Sequence, residues 1–523
     1  MIQRSKTAAA LAAIALSLSG CKKKPAPAPA PPPTSAPAPA APTAPANPTA
    51  ANGSNPAAPA PAGCNSDFKQ PITASTTLTA KCSPYTLDHE LSVDGWDLTI
   101  EPGVTIKFTE DGKLSAGWND DARITARGTA EQPIELVSGG RQEPGAWAGV
   151  GLFEHARGSS LSHVVIENAG RDDKPAIEIH AADVHLSHVK VVASKDQAFA
   201  LMDHARVVAF DGNDFTQAGP HEVIGTFVLQ SLGGIAPGNL WPKGSVIQVD
   251  QDATDGDLSI PNAGIPYRIL HDVSVDAAAG KSAVVTVAPG VVFQMDADTE
   301  WSFGWNQSGG AIMVGTEQAP ITFTRFGNNP EKGSWKGLAF NDHTKQVQLR
   351  YVKIEDAGEK DSAAIRYANL RSLGELTHVT VIHAVGSAVV THNGGATFKA
   401  FGDDTFADVG APALELQVET AHNLGAGNVY PPGAVIQLDG AVNQDTTLTM
   451  QSAPYQLLSD LSVDGPSPVK TATLSVAPGA TFQFATGTGI AVGWNQPGAL
   501  SAVGNLAKPV VLPRRSTPGT ASA

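Results

Sequence analysis

Short runs of alternating apolar and polar residues recur along most of the chain, broken by Gly and Pro. Residues 98–108 read LTIEPGVTIKF: Leu98, Ile100, Val104, Ile106 and Phe108 alternate with polar neighbours, and Pro102-Gly103 turns the chain between two strands. VVTVAPGVVFQM (284–295) and TLSVAPGATFQF (473–484) repeat the arrangement. No stretch of twelve residues or more keeps the apolar spacing of a helix, and turn signals return every ten residues or so. The pattern predicts an all-β chain of short strands.

A long period overlies the alternation. Gly-Trp-Asn occurs at Trp118, Trp305 and Trp494, two nearly equal intervals. Tyr85, Tyr267 and Tyr455 each follow Pro and precede LSVDG, VSVDA and LSVDG. GAWAGVGLF at 145 matches GSWKGLAF at 333, and KGSVIQVD at 243 matches PGAVIQLD at 432. The boundaries fall at approximately 64–250, 251–440 and 441–523: two complete modules and the first part of a third. Inside a module a shorter period appears. LSHV begins at Leu161 and again at Leu186, and Trp96, Trp118 and Trp147 follow one another at similar intervals. Such spacing suits one turn of a right-handed parallel β-helix, whose coils fill one shared apolar interior and are unstable singly. About twenty coils stacked at ~4.8 Å predict a rod of roughly 100 Å.

LTIEPGVTIKF, GTAEQPIEL, GAWAGVGLF and SSLSHVVIENAG resemble the recurring segments of right-handed parallel β-helix proteins of bacterial envelopes, within the broad pectin-lyase-like superfamily. The resemblance implies the fold. It does not assign an activity, because this fold carries enzymes, adhesins and proteins of no known activity.

The N-terminus adds an address. Arg4 and Lys6 precede the apolar run Thr7 to Gly20, too short to span a bilayer, so residues 1–20 read as a signal peptide. Leu18 to Cys21, LSGC, resembles a bacterial lipobox, which implies lipidation of Cys21; Lys22 after it implies sorting to the outer membrane. Several acyl chains together anchor a protein stably. Residues 21–63, dominated by Pro and Ala, cannot bury a core and read as a disordered tether. Cys64 and Cys82 remain for a disulfide in an oxidising compartment. The formal net charge is −15, and loss of residues 1–20 leaves 33 basic against 50 acidic residues, or −17. An acidic chain of this kind is repelled by phosphate backbones, so nucleic acid is not an expected partner. The expected partners are the membrane, through the lipid, and a polysaccharide or surface protein.

Candidate chemistry is thin. Trp118, Asn119, Trp305, Asn306, Trp494 and Asn495 are the candidate ligand-binding residues. For the tryptophans the favoured reading is a ring packed over the bend between sheets; the alternative is an exposed platform for a sugar face. His163 and His188 sit one coil apart and are expected to stack rather than to hold a metal. DQDATDGD (250–257) misses the register of a calcium loop and reads as a turn before the strand at Leu258. Asp172 and Asp173 with Lys174, and Asp403 with Asp404, are the only paired acids considered for catalysis, and Asp404 aligns with Asn213, a stacked-turn position. No catalytic residue, metal or cofactor is assigned. The expected function is a lipid-anchored, non-catalytic β-helix that binds a glycan or protein. A polysaccharide lyase or hydrolase and a purely structural protein are the alternatives. An enzyme should show acids from adjacent coils converging in a cleft with displaced pKa values. The tail PRRSTPGTASA offers no evident cap, so a frayed end or pairing with another chain is expected there.

Overall fold

The computed structural model describes Cys64 and residues 72–514, apart from 182, 204, 251, 252, 255, 328–330, 360 and 361. The expected signal peptide, Cys21 and the expected tether therefore lie outside the described residues, as does the tail from 515. The first coil has three short strands, Thr76–Leu78, Tyr85–Leu87 and Glu90–Val93. Each pairs in parallel with its counterpart one coil on: Leu78 with Ile100, Tyr85 with Ile106, Leu91 with Leu114. The pattern continues as a right-handed parallel β-helix of about 16 turns. Only 4% of the described residues are helical.

The number of turns is lower than the expected twenty, because some corners carry long loops, as between Ile134–Ser138 and Gly149–Leu152. The alternation in sequence becomes the wall of the solenoid. In Asp97–Ile100 the side chains of Leu98 and Ile100 are buried, while Asp97 and Thr99 face water. Leu78, Ile100, Ala126, Leu161, Leu186 and Phe210 form one inward column through paired strands. Each buried side chain of this size contributes about 1.5–3 kcal/mol, but only when the next coil covers it. The last coil shows the contrast. Leu500 and Leu512 are exposed, whereas their first-module counterparts Ile124 and Leu136 are fully buried under further coils.

The modules join with a step. Val246–Asp250 ends the third strand column of the first module, yet it pairs with Tyr267–Ile269, the second strand of the next module's first coil, through Ile247 and Tyr267. Ile436–Asp439 meets Tyr455–Leu457 in the same way, through Ile436 and Tyr455. Each module therefore starts one face further around the solenoid. The recurrent Pro-Tyr belongs to these corners. The hydroxyls of Tyr85, Tyr267 and Tyr455 donate to the carbonyls of Thr79, Pro261 and Thr449 at 3.1, 2.8 and 2.8 Å, each six residues upstream. A buried phenol needs such a partner, so Phe would leave the corner carbonyl without its donor.

Other recurring residues find equally plain uses. Thr129 and Thr316 accept the N–H of Gln132 and Ala319 at 3.0 Å, closing the turn before a strand. Asn505, the apparent misfit of the third copy, accepts the N–H of Lys508 at 2.8 Å and does the same work. Cys64 and Cys82 form a disulfide, with Cα atoms 5.4 Å apart.

Candidate functional site

The Gly-Trp-Asn turns are built by a clip from the preceding coil. The Asp94 carboxylate accepts the backbone N–H of Asn119 and of Asp120 at 3.0 and 3.1 Å, and the Asn119 side-chain amide at 2.9 Å. Asp276 takes the N–H groups of Asn306 and Gln307, and Asp464 those of Asn495 and Gln496. The LSVDG and Gly-Trp-Asn repeats are thus two halves of one inter-coil contact. Burial would raise the Asp94 pKa, but the N–H donors of Asn119 and Asp120 outweigh it and hold the carboxyl below its usual range. The N–H groups of Asn495 and Gln496 lower Asp464 likewise. Gly117 and Gly304 are required: both have positive φ, and a Cβ would fall 2.2 Å from Ala156 N and 2.4 Å from Thr344 N.

With Asp, Gly and Asn accounted for by the turn, the tryptophan is left over. Its ring is 62, 65 and 83% exposed at Trp118, Trp305 and Trp494. The expected packing over a bend is therefore corrected: the clip turns the backbone so that the indole points to water. The step between modules also separates the three rings. Trp118 follows a strand of the 13-stranded sheet, Trp305 one of the 14-stranded sheet and Trp494 one of a three-stranded sheet, so successive rings stand on successive corners. Asn119, Asn306 and Asn495 are exposed, and each gives its backbone N–H to the clip.

At Trp118 the turn borders a cleft. It measures about 790 Å³ and is lined by Lys113, Trp118, Phe153, Glu178, His180 and Asp203, together with Glu154, Arg157 and Lys174. The side chains come from successive coils: Lys113 from Lys113–Ala116, Phe153 from the corner after Gly149–Leu152, Glu178 and His180 from Ile177–Ile179 and its end, Asp203 from the corner after Phe199–Leu201. Trp118 meets Phe153 edge-on at 4.4 Å and 80°. Phe153 in turn stacks on His180 at 5.5 Å, and Lys113 Nζ lies 4.8 Å over the phenyl ring. Gly151 makes the floor. It stands between Ser115 and Glu178 in the sheet, and a Cβ there would come within 2.9 Å of the Phe153 ring.

The charges under the rings are paired. His180 Nδ1 lies 2.7 Å from Asp203 Oδ2, and its Nε2 3.2 Å from Glu178 Oε1. Lys113 Nζ is 3.9 Å from Glu178 Oε2. The hydrogen bond from His180 is the main influence holding Glu178 below the usual carboxylate range; burial opposes it, and Lys113 and Lys174 assist. The same bond to Glu178, then Asp203, raises His180 against the effect of burial. With a carboxylate at each ring nitrogen, a doubly protonated imidazole donates to both.

The acids weighed in the sequence lie elsewhere. Asp172 and Asp173 are exposed corner residues beside Arg171 and Lys195, each pair 3.5 Å apart. Lys174 lines the cleft. Asp403 and Asp404 fall on opposite sides of the wall. Asp403 borders a shallow depression with Tyr351 and His378, whereas Asp404 is fully buried. Asp404 takes the place of Asn213, as the alignment indicated. Asn213 accepts the N–H of Val189 at 2.8 Å and donates to Leu186 O and Asn239 Oδ1. Asp404 accepts the N–H of Val379 at 2.8 Å, but its Oδ2 is buried without a hydrogen-bond partner. Burial pushes its pKa up to about 8; the Val379 N–H lowers it and Asp403 adds to the rise. His163 and His188 stack at 4.5 Å and 4°, and in the second module Tyr351 and His378 lie 4.5 Å apart with their rings tilted by 32°. Among the described residues no group of three or more His, Cys, Asp or Glu is placed to hold a metal ion. Asp257, from the acidic run, accepts the N–H of Val284 at 3.0 Å and serves as another clip between coils.

Phe153, Glu178, His180 and Asp203 escaped the sequence reading because no short motif joins them. The signal that could have found them is the coil period, which sets Phe153, His180 and Asp203 one turn of the solenoid after another. Compared with known proteins, the chain matches no family model, no curated protein and no solved structure.

Proposed function

We propose that the protein is an exported, lipid-anchored β-helix of the bacterial outer membrane, of pectin-lyase-like descent, that binds a glycan without cleaving it. The observation that carries this reading is the exposed tryptophan of the Gly-Trp-Asn turn. Three copies of the turn commit their Asp, Gly and Asn to the backbone and leave the indole to solvent, where a flat apolar ring serves recognition rather than packing. Lipidation at Cys21 and the Pro/Ala tether suit a solenoid held away from a membrane. A glycan array probed with the full chain tests the reading: selective binding, lost on replacing Trp118, Trp305 and Trp494 together by Ala, is expected. Array signals unchanged by the triple replacement would overturn it. For the anchor, Cys21→Ala is expected to release the chain from the membrane fraction.

A second reading, a polysaccharide lyase or hydrolase, is favoured by one observation: acids from adjacent coils converge with His180 in a cleft, with pKa values displaced in opposite directions. Against it stands the engagement of both imidazole nitrogens, which leaves no free base for a substrate proton. Release of new reducing ends or unsaturated products from a bound polysaccharide, abolished by His180→Ala, would favour the enzyme.

A further inference from the structure

We propose that the first-module cleft is the anchoring subsite for neutral pyranose residues of a glycan, with Trp118 and Phe153 as the sugar platform and the Glu178–His180–Asp203 chain receiving the hydroxyls. The inference rests on the glycan-binding reading above and deepens it.

The internal repeat supplies the argument. The second module builds the same coils with different residues at this corner. Asn341 stands for Phe153, Ala368 for His180, and Glu300 with Arg366 for Lys113 with Glu178. Glu300 and Arg366 form a direct ion pair, so the polarity of the Lys113–Glu178 pair is reversed there. Asn341 donates to the Phe303 carbonyl at 3.3 Å and lays no ring beside Trp305. The fold is thus satisfied without Phe153, His180 or the Lys113–Glu178 polarity. Their presence in the first module calls for a reason outside the fold, and they line one cleft of ligand size.

The shape and charge of the cleft select the ligand. Trp118 is exposed and stands at 80° against Phe153, which is only 9% exposed and props the indole so that its free face takes the C–H face of a saturated ring. Beneath them every charge is matched: Lys113 and His180 neutralise Glu178, and His180 also holds Asp203. A charged ligand meets no unmatched opposite charge on this floor. Arg157, Lys174 and Glu154 also line the cleft, but they are exposed to water, which weakens their fields. The Glu178 carboxylate keeps lone pairs beyond the one given to His180, and sugar hydroxyls are donors of the right kind. The aromatic pair and the acceptors lie along the coil direction, so a chain running along the solenoid can cross all of them.

The test is titration calorimetry of the full chain with cellohexaose, chitohexaose and xylohexaose, and with polygalacturonate as the charged comparison. One neutral hexasaccharide is expected to bind with an affinity that changes less than about twofold between low and high salt. Phe153→Asn, the residue the second module already uses, is expected to weaken binding about tenfold while changing the unfolding midpoint little. His180→Ala is expected to weaken it severalfold, and Trp305→Ala or Trp494→Ala less than about twofold. Wild-type affinity in Phe153→Asn and His180→Ala, with loss in Trp305→Ala, would overturn the subsite while leaving glycan binding intact. Tighter, salt-sensitive binding of polygalacturonate would overturn the neutral ligand. Binding of none of the four, with an empty glycan array, would overturn both readings.

Discussion

The first and second modules repeat the same wall and put their aromatic rings on opposite sides of it. In the second, Phe303, Phe340 and Tyr367 stack inside the solenoid with centroids 5.0 Å apart. Their counterparts in the first are Ala116, Leu152 and Ile179, which are smaller, while the next residue along the chain carries Phe153 and His180 outside. A shift of one residue in a β-strand exchanges core for surface. The two modules therefore separate what the coil needs from what its outer face does. An interior can be filled by Leu and Ile or by stacked rings, whereas the outer ring has meaning only where a partner meets it.

The largest effect expected from this contrast is in stability. Phe340→Ala should cost about 3–5 kcal/mol, because a fully buried ring leaves a cavity that neighbouring coils cannot close. Phe153→Ala removes a ring that is also covered, but on the outer face by Trp118, His180 and Lys113 and not within the interior cluster, and should cost less, about 1–2 kcal/mol. Denaturant unfolding followed by hydrogen exchange in the affected coils checks both. Equal losses at the two positions would break the contrast.

A second test exchanges the corner acids. Asn213 and Asp404 occupy one position in the two modules, but only Asn fills both of its hydrogen-bonding directions. Asp404 is a carboxyl whose folded pKa of about 8 lies above the unfolded value of 3.8. Below the unfolded value it is neutral in both states and costs nothing. As pH rises toward 8 the unfolded chain alone ionises, so stability falls through this window, and above it the cost is constant. Asp404→Asn should stabilise the second module at pH 8 by an amount on the order of 3 kcal/mol, with the gain vanishing near pH 4. Asn213→Asp should impose the same pH dependence on the first module. Melting curves at pH 4 and 8 decide it; a gain that does not vary with pH would assign the effect to packing.

The fold was legible because its causes are local and repeated. Alternation marks the walls, as in Leu98 to Phe108, and Gly and Pro mark the corners. The return of LSHV from Leu161 to Leu186 gives the length of a coil. Recurrence of Tyr85, Asp94 and Trp118 announced that each had a task, but not the partner, since Thr79, Asn119 and solvent are assigned by the stacking of coils. The step of one face at each module boundary was hidden: Val246–Asp250 and Ile436–Asp439 look like ordinary third strands, and only their pairing with Tyr267 and Tyr455 reveals the shift. The cleft was hidden for a related reason. Its residues are neighbours through the inter-strand spacing of ~4.8 Å, not along the chain, and Phe153 reads as one more apolar residue at the end of a strand.

Where the modules share a device, its loss should cost both alike. Asp94→Ala and Asp276→Ala each remove a carboxylate that takes two backbone N–H groups of the next turn. A loss of about 1–2 kcal/mol is expected at each, and the N–H protons of Asn119 and Asn306 should exchange faster. An effect confined to Asp94 would mean that the clip serves the cleft rather than the turn.

The smallest effect is electrostatic and belongs to the first module alone, since Ala368 replaces His180 in the second. The hydrogen bonds from His180 to Glu178 and Asp203 raise its folded pKa above the ordinary 6.5. Their contribution to stability is therefore complete below pH 6.5 and is lost as pH rises through the folded value. Asp203 is exposed and the His180 side chain is about one-fifth exposed beside it, so screening keeps the contribution below about 1 kcal/mol. The sensitive readout is the ring itself. In a proton NMR titration the His180 signal should move at higher pH than that of a model histidine, and Asp203→Asn should bring it partway back, leaving the bond to Glu178 in place. A midpoint at or below the ordinary value of 6.5 would mean that the imidazole does not carry both protons, and would return a free nitrogen to the cleft.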